Sequence, residues 1–271
     1  MCRVREANEK KKGRVAENVE MSVSIEPLGD RALVIDWGGG IAVDTHQRIR
    51  AFCTWLNKRQ RPEVIEIIPA YTTVTVIYDP MKIVGMQGNY GLSYQIDQDF
   101  AQERLSPYQH MKKRMEELLI SIEHMDVGES RVVDIPVCYG GEYGPDLELV
   151  AAHAGLSVEE VIDLHCNQNY LVHMVGFAPG FPYLGGLSER LEVPRRGTPR
   201  ASIAPGSVGI GGKQTGVYPI STPGGWNLIG RTPRRLFRPE SLTPSLLQMG
   251  DIVRFRPITA EQYAEWTEEE L

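Results

Sequence analysis

Between Tyr170 and Arg231, 62 residues hold thirteen glycines and seven prolines, threaded with Arg, Lys, Gln, Tyr, Asn and a single His. Glycine tolerates positive φ and close backbone approach, and proline fixes φ. Such a stretch therefore encodes many set turns between short extended segments and excludes a long helix. Rigid polar loops of this kind are where binding and catalytic groups concentrate.

The charge of the region sharpens this. From Gly176 to Glu240, nine basic residues (Arg190, Arg195, Arg196, Arg200, Lys213, Arg231, Arg234, Arg235 and Arg238) stand against three acidic ones (Glu189, Glu192 and Glu240), whereas the whole chain has a formal net charge of −6. A basic loop cluster on an acidic protein focuses its field on carboxylates, phosphates or an acidic partner. The competing reading is a set of solvated arginines around a Pro-rich surface. Either suits any one Arg, and the cluster as a whole favours a site.

A chain of 271 residues exceeds the usual single-core range and is expected to form about two domains. Residues 1–20 are polar and charged and read as a flexible tail, with Met1 and Met21 both open as the start. No apolar run approaches the ~20 residues that cross a bilayer, and the charged start has no apolar stretch behind it, so a cytoplasmic protein is expected. The four cysteines are widely spaced, without zinc-ligand or disulfide-framework patterns, so no metal is expected. A pI near 5.6 fits poorly with nucleic-acid binding.

Patterning gives the order of elements. SVSIEPLG and RALVIDWG flank Gly29-Asp30 as a hairpin; Asp44 or Thr45 caps a helix whose apolar positions are Ile49, Phe52, Cys53 and Leu56. VIEIIPA and TVTVIYD are two more strands, and Tyr108 to about Glu123 is a second helix after an irregular stretch from Met81 to about Asp99. This is an α+β unit with helices on one face of a small sheet, assigned to 21–127. From 128 to 271, RVVDIPVCY, two short helices (the second with a Ser157/Glu160 capping box), and then YLVHMVGF, SVGIGG, GVYPIST, WNLIGRT and DIVRFRP describe a mainly-β barrel or compact sandwich.

Several motifs invite chemistry. Gly209–Thr215 imitates a phosphate loop but has Ser207 where the first Gly belongs and Gln214 where the magnesium-binding hydroxyl belongs, so nucleotide is not held by a P-loop here. It reads instead as a turn presenting Lys213, Gln214 and backbone amides to an anion. A lone His in a strand is commonly structural, but His173 directly precedes GFAPGFPYLGG, which leaves pocket lining open. Phe181, Tyr183 and Trp226 stand between pocket wall and core, and Phe177 reads as core. Ser207 lacks the Gly-x-Ser-x-Gly context of a nucleophile. The loops offer oxyanion or phosphate stabilisation by Arg200, Lys213, Gln214 and Asn227 but no evident base, which suggests a missing partner chain.

The segments HMVGFAPGFPYLGGL (His173–Leu187), VPRRGTPRAS (Val193–Ser202), APGSVGIGGKQTGVY (Ala204–Tyr218) and STPGGWNLIGRT (Ser221–Thr232) together resemble the allophanate hydrolase subunit 1 family, also called the KipI family. PLGDRALVIDWG and IPAYTTVTVIYDP resemble its N-terminal signatures, extending the likeness from about Ser22 to Pro257. The resemblance implies an α+β N-terminal domain followed by a mainly-β cyclophilin-like barrel domain. It further implies one component of a hetero-oligomeric, ATP-dependent 5-oxoprolinase that opens 5-oxoproline to L-glutamate. The implied partners are an A component of the LamB/YcsF type and a C component of the allophanate hydrolase subunit 2 or KipA type. ATP is then a co-substrate of the assembly. Other members imply an inhibitor of a sporulation sensor histidine kinase, or a urea carboxylase-type component working with a carboxybiotin-linked partner. The expected catalytic set is His173, Arg200, Lys213 and Gln214; the expected substrate contacts are Phe181, Tyr183, Ser207, Tyr218, Trp226 and Asn227.

Overall fold

The computed structural model describes residues 23–40, 42–59, 61–83, 105–122 and 128–267. The tail of residues 1–20, nearly all of the Met81–Asp99 stretch and the end of the expected second helix at 123 lie outside these.

Strands β1 (Ser24–Pro27) and β2 (Ala32–Asp36) form the expected hairpin, and β3 (Val64–Pro69) and β4 (Thr73–Tyr78) form another; they combine in the antiparallel order β1-β2-β4-β3. Alternation explains which face is covered: Leu33 and Ile35 of β2 and Val74, Val76 and Tyr78 of β4 point to one side. Helix α1 (Val43–Lys58) lays Ile49, Phe52, Cys53 and Leu56 into the same cluster, and α2 (Pro107–Ser121) adds Met111, Met115 and Leu118. Each such side chain contributes roughly 1.5–3 kcal/mol when fully buried. The start of α1 differs from expectation. Its N-cap is Ala42, with no side-chain cap, so Asp44 and Thr45 lie inside the first turn, where Asp44 complements the helix dipole. Helix α2 has the stronger local signal, a capping box between Ser106 and Gln109 followed by Pro107.

From β5 (Val132–Tyr139) onward the chain builds a closed barrel of seven strands. The others are β6 (Tyr170–Val175), β7 (Pro182–Gly185), β9 (Ser207–Gly211), β10 (Gln214–Val217), β12 (Asn227–Arg231) and β13 (Ile252–Ile258), in the order β10-β7-β6-β13-β5-β12-β9. All neighbours are antiparallel except β13 with β5. Closure leaves the barrel without a free edge. Its interior is branched aliphatic, with Ile135, Val137, Val172, Val208, Ile210 and Val217 all fully buried, and helices α3 (Leu147–Ala154) and α4 (Val158–Cys166) pack on the same cluster. The Ser157/Glu160 capping box forms as the sequence requires.

Strands β7, β8 (Arg200–Ile203) and β11 (Thr222–Gly224) and the short helix α5 (Ala260–Ala264) were not legible in the sequence, and GVYPIST is not one strand: β10 ends at Val217 and its last residue, Thr222, opens β11. Strands of three or four residues carry too few alternations to register. β8 and β11 pair as a two-stranded sheet, and the region holds an aromatic cluster of Phe181, Ile203, Tyr218, Trp226 and Leu228. Phe177 is not core: it is 71% exposed, with φ of 65°, the one non-glycine residue among those described in the left-handed region. The turn Gly176–Phe181 is closed by Gly176 N–H to Phe181 O and by Phe181 N–H to Ala178 O, and this turn geometry holds Phe177 outward. Among the described residues, no helix is long and apolar enough to cross a membrane.

Candidate functional site

The sheet and the barrel meet along a seam, and the seam holds a cavity rich in polar groups. From the sheet side, Arg50 of α1 donates to Ser130 Oγ (2.9 Å) and to the Glu129 carbonyl (3.1 Å). The β3–β4 turn carries Tyr71 onto the barrel, where its hydroxyl accepts from Gln214 Nε2 at 2.6 Å. The Tyr71 ring lies 5.3 Å from His173 and 5.9 Å from Tyr183. Tyr71, His173 and Gln214, together with Leu184, Gly185, Arg195, Gly211, Gly212 and Lys213, line a cavity of about 470 Å³, a size within the ordinary range for small-molecule sites.

Local geometry sets each group. The β9–β10 hairpin pairs Gly211 with Gln214, so Gly212 and Lys213 form a two-residue turn; Gly212 has φ of +63°, as such turns demand. Lys213 therefore projects at the hairpin tip, with its side chain 80% exposed and its ammonium 3.4 Å from Glu192. Gly185 and Gly211 are required by close approach. A methyl group at the first would collide with His173 Nε2, and at the second with the Trp226 indole.

On β6, Val172 enters the barrel core and His173 faces the other way, at a register shift against β7 beyond which Val175 packs on the core again. That outer side is buried as well, because α1 covers it: His46 stands edge-on to His173, with ring centroids 5.3 Å apart and planes at 87°. His46 Nε2 and His173 Nδ1 are buried without a hydrogen-bond partner. Burial, reinforced by the neighbouring charge of His173, lowers the His46 pKa to about 4. Burial also lowers that of His173. Both imidazoles are then neutral near pH 7, and each keeps a nitrogen lone pair. Burial raises the Tyr71 phenol, with Tyr183 adding to the shift and the Gln214 hydrogen bond opposing it, so its O–H remains a donor. One cavity thus offers cations, a hydroxyl donor and a neutral imidazole.

Of the residues singled out from sequence, the structure brings together His173, Lys213 and Gln214, with Tyr183 at their edge. The others are engaged elsewhere. Arg200 grips Asp146 with both terminal nitrogens at 2.9 Å, Arg196 adds a third bond at 2.8 Å, and the Leu228 N–H adds a fourth at 2.7 Å. Burial would raise the Asp146 pKa, but these hydrogen bonds and the two guanidinium charges outweigh it and hold the carboxyl below its ordinary value. Ser207 is fully buried with its hydroxyl unpartnered. Asn227 Nδ2 donates to the carbonyls of Pro194 (2.9 Å) and Ile210 (3.3 Å). Phe181, Tyr218 and Trp226 pack edge to face at 5.7–6.1 Å within the aromatic cluster. Sequence reasoning missed Tyr71 and His46, and it counted Arg195 only as charge. The one available signal was the aromatic at a polar hairpin turn, Ala70-Tyr71-Thr72.

A second cavity of about 470 Å³ is lined by Pro205, Ser221, Thr232, Arg234, Arg235, Tyr263 and their neighbours. Its arginines bind within the protein, Arg235 to Glu240 and Arg234 to the Asp134 carbonyl.

Residues 23–247 match the family described as carboxyltransferase domain, subdomain C and D, and the chain belongs to that family. It is 48% identical over 245 residues to a Bacillus subtilis (strain 168) protein named as the B subunit of 5-oxoprolinase, covering 90% of this chain and 97% of that one. It is 41% identical to the Escherichia coli O157:H7 protein of the same name, covering 85% and 94%. The crystal structure of TTHA0988 superposes with a TM-score of 0.67 at 33% identity, covering 85% of this chain and 40% of that chain.

Proposed function

We propose that this chain is the B component of an ATP-dependent 5-oxoprolinase, opening the lactam of 5-oxoproline to L-glutamate in a hetero-oligomer with A-type (LamB/YcsF) and C-type (KipA) partners. The observation that carries the reading is the 48% identity spanning 97% of a relative named as that component. The site is consistent with it. Cleaving a lactam requires stabilising negative charge on the carbonyl oxygen, and the seam cavity supplies Tyr71 O–H, Lys213 and Arg195 for charge and polarity. It contains no carboxylate among its described lining residues, so another chain of the assembly would complete the acid–base set. Gly209–Thr215 is a β-hairpin with no helix following, so we assign ATP to another part of the assembly. On this reading the sheet unit and the barrel act as two domains with the reaction site at their seam, in a cytoplasmic complex.

Co-expression with A-type and C-type partners and measurement of 5-oxoproline-dependent glutamate and ADP tests this. Stoichiometric formation of both products is expected. An assembled three-part complex that produces neither would remove the reading.

A further inference from the structure

The turn between β6 and β7 places an aromatic ring where neither packing nor backbone preference asks for one. Phe177 is 71% exposed, with φ of 65°. Its two neighbours close a three-residue turn around it, the Ala178 N–H donating to the Gly176 carbonyl at 2.7 Å. With positive φ at the central residue, this is the rare and strained form of the γ-turn, a conformation that glycine adopts freely and phenylalanine only at a cost. The turn is also fixed in place. The Gly176 N–H donates to the Phe181 carbonyl at 3.0 Å, and Gly180 lies so close to Phe237 that a Cβ on it would stand 2.9 Å from that side chain. Strain held in an ordered turn is characteristic of functional positions, and here it holds an apolar ring in solvent.

The ring stands at the end of an aromatic line that starts at the seam. Phe177 meets Phe181 edge to face at 5.5 Å, Phe181 meets Tyr183 at 5.3 Å, and Tyr183 meets Tyr71, on the cavity wall, at 5.9 Å. Arg195, on the same wall, is exposed and has no ion-pair partner among the described residues. We infer that Phe177 is the docking anchor for the C-type chain, its ring seated in an apolar pocket of that chain with a carboxylate of the pocket rim facing Arg195. This rests on the reading of the chain as one component of an assembly. Two findings select the occupant. The matched family is described as subdomains C and D of a carboxyltransferase domain, which leaves the other subdomains of that domain to be supplied from outside residues 23–247, and in TTHA0988 the part matched by this chain is 40% of a longer chain. Exposed aromatics and arginines are the groups that interfaces bury at their centres. A ring already fixed by its turn gives up little freedom on docking. A chain seated on Phe177 also borders the end of the cavity, whose described lining residues include no carboxylate.

The experiment measures the dissociation constant of the full chain with the purified C-type chain by calorimetry, and the urea midpoint of the free chain. Phe177→Ala and Phe177→Gly should each weaken the pair at least about tenfold, the loss that truncating a central interface side chain produces. Phe177→Gly should at the same time leave the midpoint of the free chain unchanged or raise it, because glycine relieves the positive φ. A ring that served packing alone would give the opposite pair of results. Arg195→Glu should weaken the pair by a similar factor, through repulsion from the rim carboxylate. In the three-part complex, p-benzoylphenylalanine in place of Phe177 should photo-crosslink to the C-type chain. Absence of binding, unchanged affinity in the Phe177 or Arg195 variants, a lowered midpoint in Phe177→Gly, or crosslinks to the A-type chain or to a second copy of this chain would each overturn the assignment. A Phe177→Gly complex that assembles at full strength and forms glutamate would sink the anchor and leave the proposed function intact. A complex that assembles through Phe177 and forms none would do the reverse.

Discussion

Two polar clusters are built from the same turn-dense segment, and they face opposite problems. At Asp146 the carboxylate is saturated: it takes both terminal nitrogens of Arg200, one of Arg196, and the Leu228 amide, and only Arg196 Nε is left without a partner. At the seam, Lys213 is mostly exposed, His173 Nδ1 is unpartnered and the Tyr71 O–H still has a proton to give. Saturation is what a structural clamp needs, since an unpaired buried charge is costly. Unfilled hydrogen-bonding capacity at a cavity leaves groups available to a ligand. Basic residues in a loop segment therefore do not share one role, and the number of partners each already has distinguishes them.

The contrast breaks most sharply at Asp146. Asp146→Ala strands two guanidinium groups and a backbone N–H, and it should lower stability by about 3 kcal/mol, read as a fall in the denaturation midpoint. Because the folded carboxyl titrates below its ordinary value of 3.8, the stability it confers is complete above that pH and is lost as pH falls through the lower folded value. Asp146→Asn should therefore weaken the protein at pH 7 and flatten the acid limb of its stability curve. Unchanged stability at neutral pH would mean that the clamp is not structural.

Gly185→Ala comes next. Its methyl group meets His173 Nε2, and overpacking of this kind costs about 1–3 kcal/mol, so a midpoint shift should accompany loss of turnover in the complex. A silent substitution would show that His173 is free to move. At the sheet side of the seam, His46 has a folded pKa of about 4 against an ordinary 6.5. Below pH 6.5 the unfolded chain takes up the proton first, so stability should decline between pH 6.5 and about 4. His46→Phe should reduce that decline while leaving stability at about pH 8 little altered, as measured by urea unfolding across the range. A decline that persists in full would assign the acid sensitivity elsewhere. The smallest structural effect belongs to Lys213→Ala. An exposed ion pair with Glu192 is worth at most about 0.5–1 kcal/mol, so the denaturation midpoint should barely move even though turnover falls. A large loss of stability would place Lys213 with the structural arginines.

Much of this was legible from the chain and some was not, for identifiable reasons. Helix α2 and helix α4 announce themselves through Ser106/Gln109 and Ser157/Glu160, which are local hydrogen-bonding rules. His173, Lys213 and Gln214 could be picked out because they sit among glycines and aromatics. Arg200 looked equivalent to them, because nothing in the sequence shows that Asp146, 54 residues earlier, reaches it. Phe177 looked like core because an aromatic between Gly176 and Ala178 gives no sign of the left-handed turn that exposes it.

By itself the sequence determined the α+β start, the turn-rich β region after it, the hairpin that presents Lys213 and Gln214, and the basic bias of the loops. These depend on local backbone preferences, on alternation within a strand and on composition. Tertiary structure decided which polar groups became satisfied, that Tyr71 and His46 from the sheet unit would close over His173, and that a cavity would open between sheet and barrel. Those outcomes depend on contacts across the seam, such as the 143 residues separating Tyr71 from Gln214. The free energy of such a contact belongs to the pair and is written in neither segment alone.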